Sequence, residues 1–240
     1  MHAVPASRPV DKAPARVRRM FDQISPRYDL LNHLLSLNSD VLWRQRAAAK
    51  LAGARRVLDV CSGTGDLAFE IRRQWGAEVV GVDFSLRMLE VAALKARRRL
   101  PAGAVRFQQG DALLLPYRDG VFDACTVAFG IRNVVDTGGG LREMSRVLRR
   151  GGRAVILEFT LPENSLLRRG YLLYFGHVLP RVGRMIARAE IDAYRYLPDS
   201  VSRWPRPEDL KSLMLASGFT RVDYELVFGG VAAIHVGHKD

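Results

Sequence analysis

Short apolar runs rich in Val, Ile and Leu alternate with longer stretches of helical periodicity through the middle of the chain. Met88, Leu89 and Ala92, for example, recur at the spacing of one helix face. Such alternation predicts a parallel β-sheet with helices packed on both faces. The predicted strands are Arg56–Val60, Glu78–Asp83, Val105–Gln109, Phe122–Ala128 and Arg153–Glu158, and the predicted helices between them include Asp66–Gln74, Ser85–Arg99 and Gly140–Leu148.

The carboxyl-terminal segment departs from this alternation. Arg221–Phe228 and Val231–Gly237 are β-rich runs on either side of a glycine pair, which predicts an antiparallel hairpin. A helix over Glu208–Ser217, closed by Gly218, is predicted before it. A parallel sheet that ends in an antiparallel hairpin is unlike a dinucleotide-binding domain.

The amino-terminal region also lies outside the alternation. Its apolar residues follow the i, i+3, i+4, i+7 spacing of an amphipathic helix, which Pro26 ends. A second helical stretch is predicted from Tyr28 toward Leu51. The spaced apolar residues of the first helix are Val17, Met20, Phe21 and Ile24.

The roughly 60 residues between the fifth strand and the hairpin are too many for an ordinary loop and must hold structure of their own. Within them, Leu166–Arg188 carries five arginines, three aromatic residues and no acid. This pattern fits a basic, aromatic surface that touches a membrane interface or covers an apolar substrate. It fits an ordinary cap helix with solvated arginines equally well.

These boundaries predict a flexible amino-terminal arm over residues 1–15 and one domain over 16–240. Within the domain we expect an amino-terminal helical cap (16–52) and a ligand-binding core (53–160). An insertion that covers the substrate (161–204) and the final helix and hairpin (205–240) complete it.

Composition and charge narrow the function classes. The chain has 240 residues, of which 48% are hydrophobic and 26% charged, as in folded globular proteins. It contains no apolar run of about 18 residues, so a cytoplasmic protein is expected. Cys61 and Cys125 fall in predicted strands and are expected to be small buried residues rather than a disulfide or metal framework. The net charge of +12 favours an anionic partner, either nucleic acid or an anionic membrane surface.

Candidate chemistry begins at a glycine-rich turn after the first strand. Gly63 and Gly65 can take backbone angles closed to other residues and let a ligand approach the main chain. The next strand ends in Asp83, where a βαβ unit places a carboxylate for a ribose diol. The pairing indicates a nucleotide-like ligand, and Gly63-x-Gly65-x-x-Ala68 formally fits the dinucleotide pattern as well.

Acidic residues around the turn favour S-adenosylmethionine (SAM) over NAD. Asp59 and Asp66 flank the place where NAD would bring a pyrophosphate dianion, and they would repel it. SAM brings a sulfonium, an ammonium and one carboxylate, and the Asp59 carboxylate attracts the cationic end. The simpler alternative, a turn that only reverses the chain, is disfavoured by the second strand ending in Asp83.

Further polar residues follow the third and fourth strands. Asp111-Ala112 stands where a carboxylate can bind an adenine amino group, although it could also only form a turn. Arg132 follows the fourth strand, and a buried arginine there needs an anion or carboxylate. Because a guanidinium is a poor proton acceptor, three roles are expected for Arg132: it stabilises a phenolate, it holds a water or Asp111 in place, or it only structures the loop. The Asn/Asp-Pro-Pro-aromatic motif of many base N-methyltransferases is absent, which disfavours a nucleic-acid partner.

Two segments carry a specific likeness, Tyr28-Asp-Leu-Leu-Asn32 and Phe129-Gly-Ile-Arg-Asn133, while Ser62-Gly-Thr-Gly-Asp-Leu67 marks only a superfamily. From about Met20 to the carboxyl terminus the chain resembles the UbiE/MenG family of menaquinone and ubiquinone biosynthesis C-methyltransferases. The resemblance implies the α/β class I SAM-dependent methyltransferase fold, a Rossmann-like seven-stranded sheet whose last strand is antiparallel. Amino-terminal helices and a helical insertion before the hairpin complete this expected fold.

The resemblance implies SAM as the methyl donor and no metal. It implies a polar network of Asp111, Arg132 and Asn133 beside the transferring methyl, and these are the predicted catalytic residues. Ala128 replaces a residue that is often Ser in the family, and Asp40 stands where the family often has His. The predicted cofactor contacts are Asp59, Gly63, Thr64, Gly65, Asp83, Phe84, Asp111, Ala112 and Ala128.

The expected substrate is a polyprenylated quinol, 2-demethylmenaquinol first, with the ubiquinone precursor 2-methoxy-6-polyprenyl-1,4-benzoquinol or another small acceptor as alternatives. A non-catalytic lipid-binding protein of the same pathway is a further rival. Because a prenyl tail lies in the bilayer, weak peripheral contact with the inner, anionic membrane face is expected. The sequence does not decide whether the chain forms a homodimer. The predicted substrate contacts are Phe21, Tyr28, His177, Tyr194 and Tyr196, each of which could instead be a packing residue.

Overall fold

The computed structural model describes residues 13–174, 196 and 199–240. Two of the predicted substrate contacts, His177 and Tyr194, and most of the basic segment Leu166–Arg188 lie outside the described residues. Most of the predicted amino-terminal arm lies outside them as well.

Seven strands form one sheet in the order β3-β2-β1-β4-β5-β7-β6. The first five pair in parallel, and β7 runs antiparallel to both β5 and β6. The predicted parallel sheet with a closing hairpin is therefore confirmed. The strands are β1 (Arg56–Val60), β2 (Glu78–Asp83), β3 (Val105–Gln109), β4 (Phe122–Ala128), β5 (Leu148–Phe159), β6 (Arg221–Val227) and β7 (Ala232–Lys239).

Helices cover both faces of this sheet. The α-helices in the described part of the chain are α1 (Pro14–Ile24), α2 (Tyr28–Leu35), α3 (Ser39–Ala49), α4 (Asp66–Trp75), α5 (Leu86–Arg99), α6 (Thr137–Val147), α7 (Ser165–Leu173) and α8 (Pro207–Ala216). Buried side chains of α3 and α4 pack on one face of the sheet, and those of α6 and α8 pack on the other. Within the described part of the chain, no helix is both long and apolar enough to cross a bilayer.

Several boundaries differ from the sequence-based expectation. The stretch from Tyr28 toward Leu51 is two helices, because Leu37 and Asn38 have left-handed φ angles of 51° and 62° that end α2. Helix α6 begins at Thr137, because the Asp136 side chain accepts a hydrogen bond from the Gly139 N–H and caps a first turn rich in glycine.

The remaining differences lie in the strands and at the amino terminus. Strand β5 begins at Leu148 rather than Arg153, because Leu148 already pairs with Phe122 across a register shift. Helix α1 begins at Pro14, one position before the predicted end of the arm at residue 15. Cys61 is not in a strand. It lies in the turn after β1 with φ 52°, whereas Cys125 is fully buried in β4 as predicted.

Candidate active site

A cleft of about 830 Å³, partly open to solvent, lies at the carboxyl ends of β1, β2 and β4. The strand order reverses between β1 and β4, and such a switch point is where open α/β sheets bind ligands. The first two helices close one side of the cleft, since Val17 and Phe21 of α1 and Tyr28 of α2 line it.

The glycine turn after β1 has the backbone that its sequence predicts. Gly63 and Gly65 have φ angles of 55° and 86°, in the left-handed region that favours glycine. A Cβ on Gly65 would also lie 2.8 Å from the Phe107 ring and 2.9 Å from the Phe69 ring. Gly65 therefore serves both as the N-cap residue that precedes α4 and as a close contact with the Phe107 side chain of the sheet.

Asp83 ends β2 beside this turn and is buried. Its Oδ2 accepts a hydrogen bond from the Gly63 N–H at 2.8 Å, and its Oδ1 accepts one from the Ser85 N–H at 2.9 Å. Burial raises the pKa of the Asp83 carboxyl to about 6, although these backbone N–H groups lower it. The side chain lines the cleft with acceptor capacity left over, so it fits a ribose diol.

Asp59 lies one strand away and is also buried. Its carboxylate accepts hydrogen bonds from the hydroxyls of Ser62 and Thr126, both at 2.8 Å. Burial raises the pKa of Asp59 to about 6, against the opposing effect of these hydroxyls and of Arg44. Asp59 lines a second, smaller cavity of about 300 Å³, which shares lining residues with the main cleft.

Thr64, a predicted cofactor contact, is buried in a network that the sequence did not indicate. Its hydroxyl donates to Asp29 of α2, and Lys95 of α5 donates to Asp29 at 2.6 Å and to Asp66 at 2.5 Å. Lys95 thereby joins the amino-terminal helices to the glycine turn. No sequence motif marks this arrangement, because its members come from the glycine turn and from three separate helices.

The remaining predicted cofactor residues line the cleft. Ala112 is buried, while Asp111 is exposed and its Oδ1 accepts a hydrogen bond from the Leu113 N–H at 2.9 Å. Phe84 packs edge-on against Phe21 with ring centroids 6.4 Å apart. Ala128 borders both the cleft and the smaller cavity.

Arg132 has other partners than the predicted network. Its guanidinium lies 2.9 Å from Glu158 Oε2 and donates to the Phe129 carbonyl at 2.6 Å, and both charged side chains are buried. Among the described residues, no contact joins Arg132 to Asp111. Glu158 at the end of β5 supplies the anion that a buried arginine needs, and the Asp111–Arg132–Asn133 network stays a prediction.

Glu158 is the acid that sequence reasoning missed. Burial raises the pKa of its carboxyl more than the Arg132 guanidinium lowers it. The sequence could have indicated Glu158 as a candidate site residue, because it stands near the end of an apolar strand just as Asp83 does.

Asn133 presents an unused acceptor to the cleft. Its Nδ2 donates to the Phe129 carbonyl at 3.3 Å, while its Oδ1 is buried without a hydrogen-bond partner among the described residues. The loop that holds it is tight. Phe129 has φ 57°, and a Cβ on Gly130 would lie 2.3 Å from the Cys61 Cβ.

Three predicted substrate contacts are described. Phe21 and Tyr28 line the cleft with ring centroids 6.1 Å apart. Burial raises the pKa of the Tyr28 hydroxyl, so it is protonated at neutral pH. Burial likewise raises the pKa of Tyr196, whose buried hydroxyl has no hydrogen-bond partner among the described residues.

Comparison with known proteins supplies the family that this geometry fits. Residues 10–239 match the model of the ubiE/COQ5 methyltransferase family. The chain belongs to this family.

Its curated relatives in the ubiE/COQ5 family match over nearly the whole chain. A protein of Thermus thermophilus named demethylmenaquinone methyltransferase is 51% identical, over 92% of this chain and all of that protein. One of the same name from Deinococcus radiodurans is 49% identical, over 95% of this chain and 94% of that protein. A Geobacter protein named ubiquinone/menaquinone biosynthesis C-methyltransferase UbiE is 46% identical, over 93% of this chain and 96% of that protein.

Solved structures share the fold. A SAM-dependent methyltransferase of Thermotoga maritima, described as a possible histamine N-methyltransferase, has a TM-score of 0.65 at 22% identity and covers 93% of this chain and all of its own. The cyclase SpnF has a TM-score of 0.69 at 20% identity, over all of this chain and 99% of its own. Such distant likenesses show the fold alone. Together with family membership, the fold identifies the chain as a SAM-dependent methyltransferase.

Proposed function

We propose that this member of the ubiE/COQ5 family methylates a ring carbon of a polyprenylated quinol, converting 2-demethylmenaquinol to menaquinol. The observation that carries the proposal is the 51% identity over the full length of the Thermus thermophilus demethylmenaquinone methyltransferase. The apolar side chains lining the cleft, among them Val17, Val134 and Val135, suit a prenylated aromatic ring.

A second substrate is favoured by a specific observation. The Geobacter relative is named for both quinone pathways, so the methoxylated benzoquinol precursor of ubiquinone is the alternative acceptor. Both substrates present a hydroxylated ring carrying a prenyl tail, and the same cleft groups would handle either.

The residues that would hold SAM follow from the geometry. Asp83 would accept the ribose diol, Asp111 and Ala112 would border the adenine, and the turn Gly63–Gly65 would let the cofactor approach the backbone. SAM supplies an activated methyl electrophile when bound, and we propose that no metal takes part. The cleft walls exclude water and orient the ring.

Asn133 and Asp111 would act on the quinol. Asn133 Oδ1 would accept a hydrogen bond from a ring hydroxyl, and Asp111 would accept its proton, either directly or through a water. Increased charge on that oxygen would raise the electron density at the ortho carbon. That carbon would form the new bond to the methyl as the bond from the methyl to the SAM sulfur breaks, which leaves S-adenosylhomocysteine as the second product. The ring proton at that carbon would then be lost to water, which restores the aromatic ring, and the proton held by Asp111 would return to the ring oxygen.

Arg132 would be a positioning residue in this scheme. Its guanidinium and the Asn133 side chain both donate to the Phe129 carbonyl, and Glu158 holds the guanidinium in place. The Arg132–Glu158 pair would therefore fix the loop that places Asn133 beside the substrate. Arg132 would affect the ring only by positioning Asn133.

The test is turnover of both quinols, reduced under anaerobic conditions, with the product identified by mass. We expect methylation of 2-demethylmenaquinol, and a loss of about 100-fold in kcat for Asn133→Ala with SAM affinity preserved. Full turnover by Asn133→Ala would remove its catalytic assignment. Methylation of labelled RNA instead of either quinol would overturn the proposed acceptor.

We also propose peripheral contact with an anionic membrane at the cytoplasmic face, through which the prenyl tail would enter. Helix α7 exposes Leu166, Leu167 and Leu173, with exposed fractions of 77%, 53% and 58%, beside the exposed Arg168 and Arg169. Apolar side chains flanked by arginines are the composition that inserts at a lipid headgroup boundary.

A further inference from the structure

We infer that Arg44 of α3 binds the carboxylate at the amino-acid end of SAM. The family assignment makes SAM the donor, and this inference adds the residue that recognises its anionic group. It concerns binding of the cofactor and needs no assumption about the quinol.

The smaller cavity of about 300 Å³ lies where that end must go. It borders the main cleft through Tyr28, Cys61, Gly63 and Ala128, which line both. Asp83 ends β2 and Asp111 follows β3. Both therefore lie on the other side of β1 from the smaller cavity, where they suit the nucleoside of SAM. A ligand whose ribose lies at Asp83 therefore directs its amino-acid end past the glycine turn into the smaller cavity.

The charges lining this cavity match an α-amino acid. Arg44 is the one basic residue among its described lining residues, and Asp59 and Asp66 are its acids. Asp66 is already paired with Lys95, while Asp59 is held only by two hydroxyls. The arrangement leaves an ammonium opposite Asp59 and a carboxylate opposite Arg44.

Arg44 is held with donors to spare. Its side chain is 8% exposed, its Nη1 donates to Asp40, and its guanidinium carbon lies 5.6 Å from the centre of the Phe129 ring. No other hydrogen bond joins the guanidinium to a described residue. A planar guanidinium can bind a carboxylate through two parallel N–H groups, so Nε and Nη2 fit an incoming carboxylate.

Asp40 fixes the orientation of the Arg44 guanidinium. Its carboxylate also accepts hydrogen bonds from Ser36 at 2.6 Å and contacts His33 Nδ1 at 3.0 Å. Although burial alone would raise its pKa, Arg44, Ser36 and His33 together hold the pKa of Asp40 below its ordinary value. Asp40 is therefore ionised and keeps Arg44 fixed, which makes it a positioning residue for the cofactor.

The experiment compares SAM with decarboxylated SAM, which lacks only the carboxylate, by titration calorimetry. We expect Arg44→Gln to weaken SAM binding by about 10- to 100-fold, the range of a charged hydrogen-bonded pair. Binding of decarboxylated SAM should change by less than about threefold, because the lost interaction is absent from it. The native protein should prefer SAM, and Arg44→Gln should lose that preference.

Arg46→Gln is the matched control, since Arg46 lies exposed on the same helix and should bind both ligands as the native protein does. Arg44→Gln leaves Asp40 without its cation, so the double variant Asp40→Asn/Arg44→Gln is measured as well and should show the same selective loss. An equal loss for SAM and decarboxylated SAM, or unchanged SAM binding, would overturn the inference. Because no quinol is present, neither result depends on the acceptor.

Discussion

Arg132 and Glu158 form a buried ion pair beneath the cleft, and this pairing decides how the arginine can act. Removing one partner of such a pair leaves an uncompensated buried charge and commonly costs about 3–5 kcal/mol. A change at Arg132 would thus disturb the loop from Phe129 to Asn133 before it revealed any catalytic effect. Asn133, whose carbonyl oxygen is unused, is the cleaner residue on which to test the chemistry.

The two buried carboxyls of the proposed cofactor site give the free energy of unfolding an unusual pH dependence. Burial raises the pKa of Asp59 and Asp83 to about 6 from an ordinary 3.8. Between these values the folded protein retains protons that the unfolded chain has released. These two groups therefore lower the free energy of unfolding as the pH rises through that window, and add no further change above about 6.

SAM binding should show the opposite trend, because the cationic end of SAM favours ionised Asp59. We predict that the Kd for SAM falls about tenfold from about pH 5 to about pH 7, as Asp59 loses its proton. The charged groups that act on Asp59 include Arg44 of α3 and Asp83 of β2. Calorimetry across this range measures the slope.

Asp59→Asn provides the control for this dependence. The variant cannot ionise at this position, so its SAM affinity should be weaker at neutral pH and vary less with pH. A native protein whose affinity is flat between about pH 5 and about pH 7 would contradict the assignment of Asp59 to the cationic end of SAM.

At the scale of elements, the amino-terminal helices contact the residues that are proposed to hold the cofactor. Asp22 of α1 accepts a hydrogen bond from the Ser85 hydroxyl at 2.5 Å, and Asp29 of α2 binds Thr64 and Lys95. These contacts attach α1 and α2 to the glycine turn and to α5. These contacts thus place α1 and α2 against the same loops that are proposed to hold SAM.

Ser85 joins two elements through one hydroxyl, which makes it a sharp test of this attachment. It caps α5 by accepting the Met88 N–H at 3.1 Å and donates to Asp22. We predict that Ser85→Ala lowers the free energy of unfolding by about 1–2 kcal/mol, the upper range for loss of a cap. Urea unfolding measures the change, and hydrogen exchange should become faster in α1.

Ser212→Ala is the comparison for that variant. The Ser212 hydroxyl only bonds the Glu208 carbonyl within α8, so its loss should leave both the unfolding transition and α1 exchange unchanged. If Ser85→Ala behaved like Ser212→Ala, the hydroxyl would contribute nothing to the attachment.

The sequence predicted the bounds of helices and strands better than it predicted the contacts between distant residues. Strand periodicity and the glycine turn depend on neighbours along the chain, so β1, β2, β3 and β4 were predicted at their observed bounds. The Arg132–Glu158 pair and the Lys95 bridge join residues far apart in sequence, and no local pattern marks them. The break at Leu37 and Asn38 was missed because neither residue type requires a left-handed backbone.

At the scale of the molecule, the net charge of +12 is distributed over several surfaces, and only some of it can serve a membrane. Helix α5 ends in the exposed cluster Arg97, Arg98 and Arg99, and among the described residues the one large apolar residue exposed beside this cluster is Leu94. Helix α7 combines Arg168 and Arg169 with exposed leucines. A membrane contact driven by charge alone would use either cluster, whereas one that also inserts apolar side chains would use α7.

Liposome binding distinguishes these two cases. We predict weak retention on anionic liposomes that falls as salt rises from about 0.05 M to about 0.5 M, because exposed charges are screened. Arg168→Gln/Arg169→Gln should reduce retention more than Arg98→Gln/Arg99→Gln, which removes the same charge elsewhere. Leu166→Ser/Leu167→Ser, which removes no charge, should reduce it as well. Equal retention on neutral and anionic liposomes, or equal loss from both arginine pairs, would rule out α7 as the specific contact.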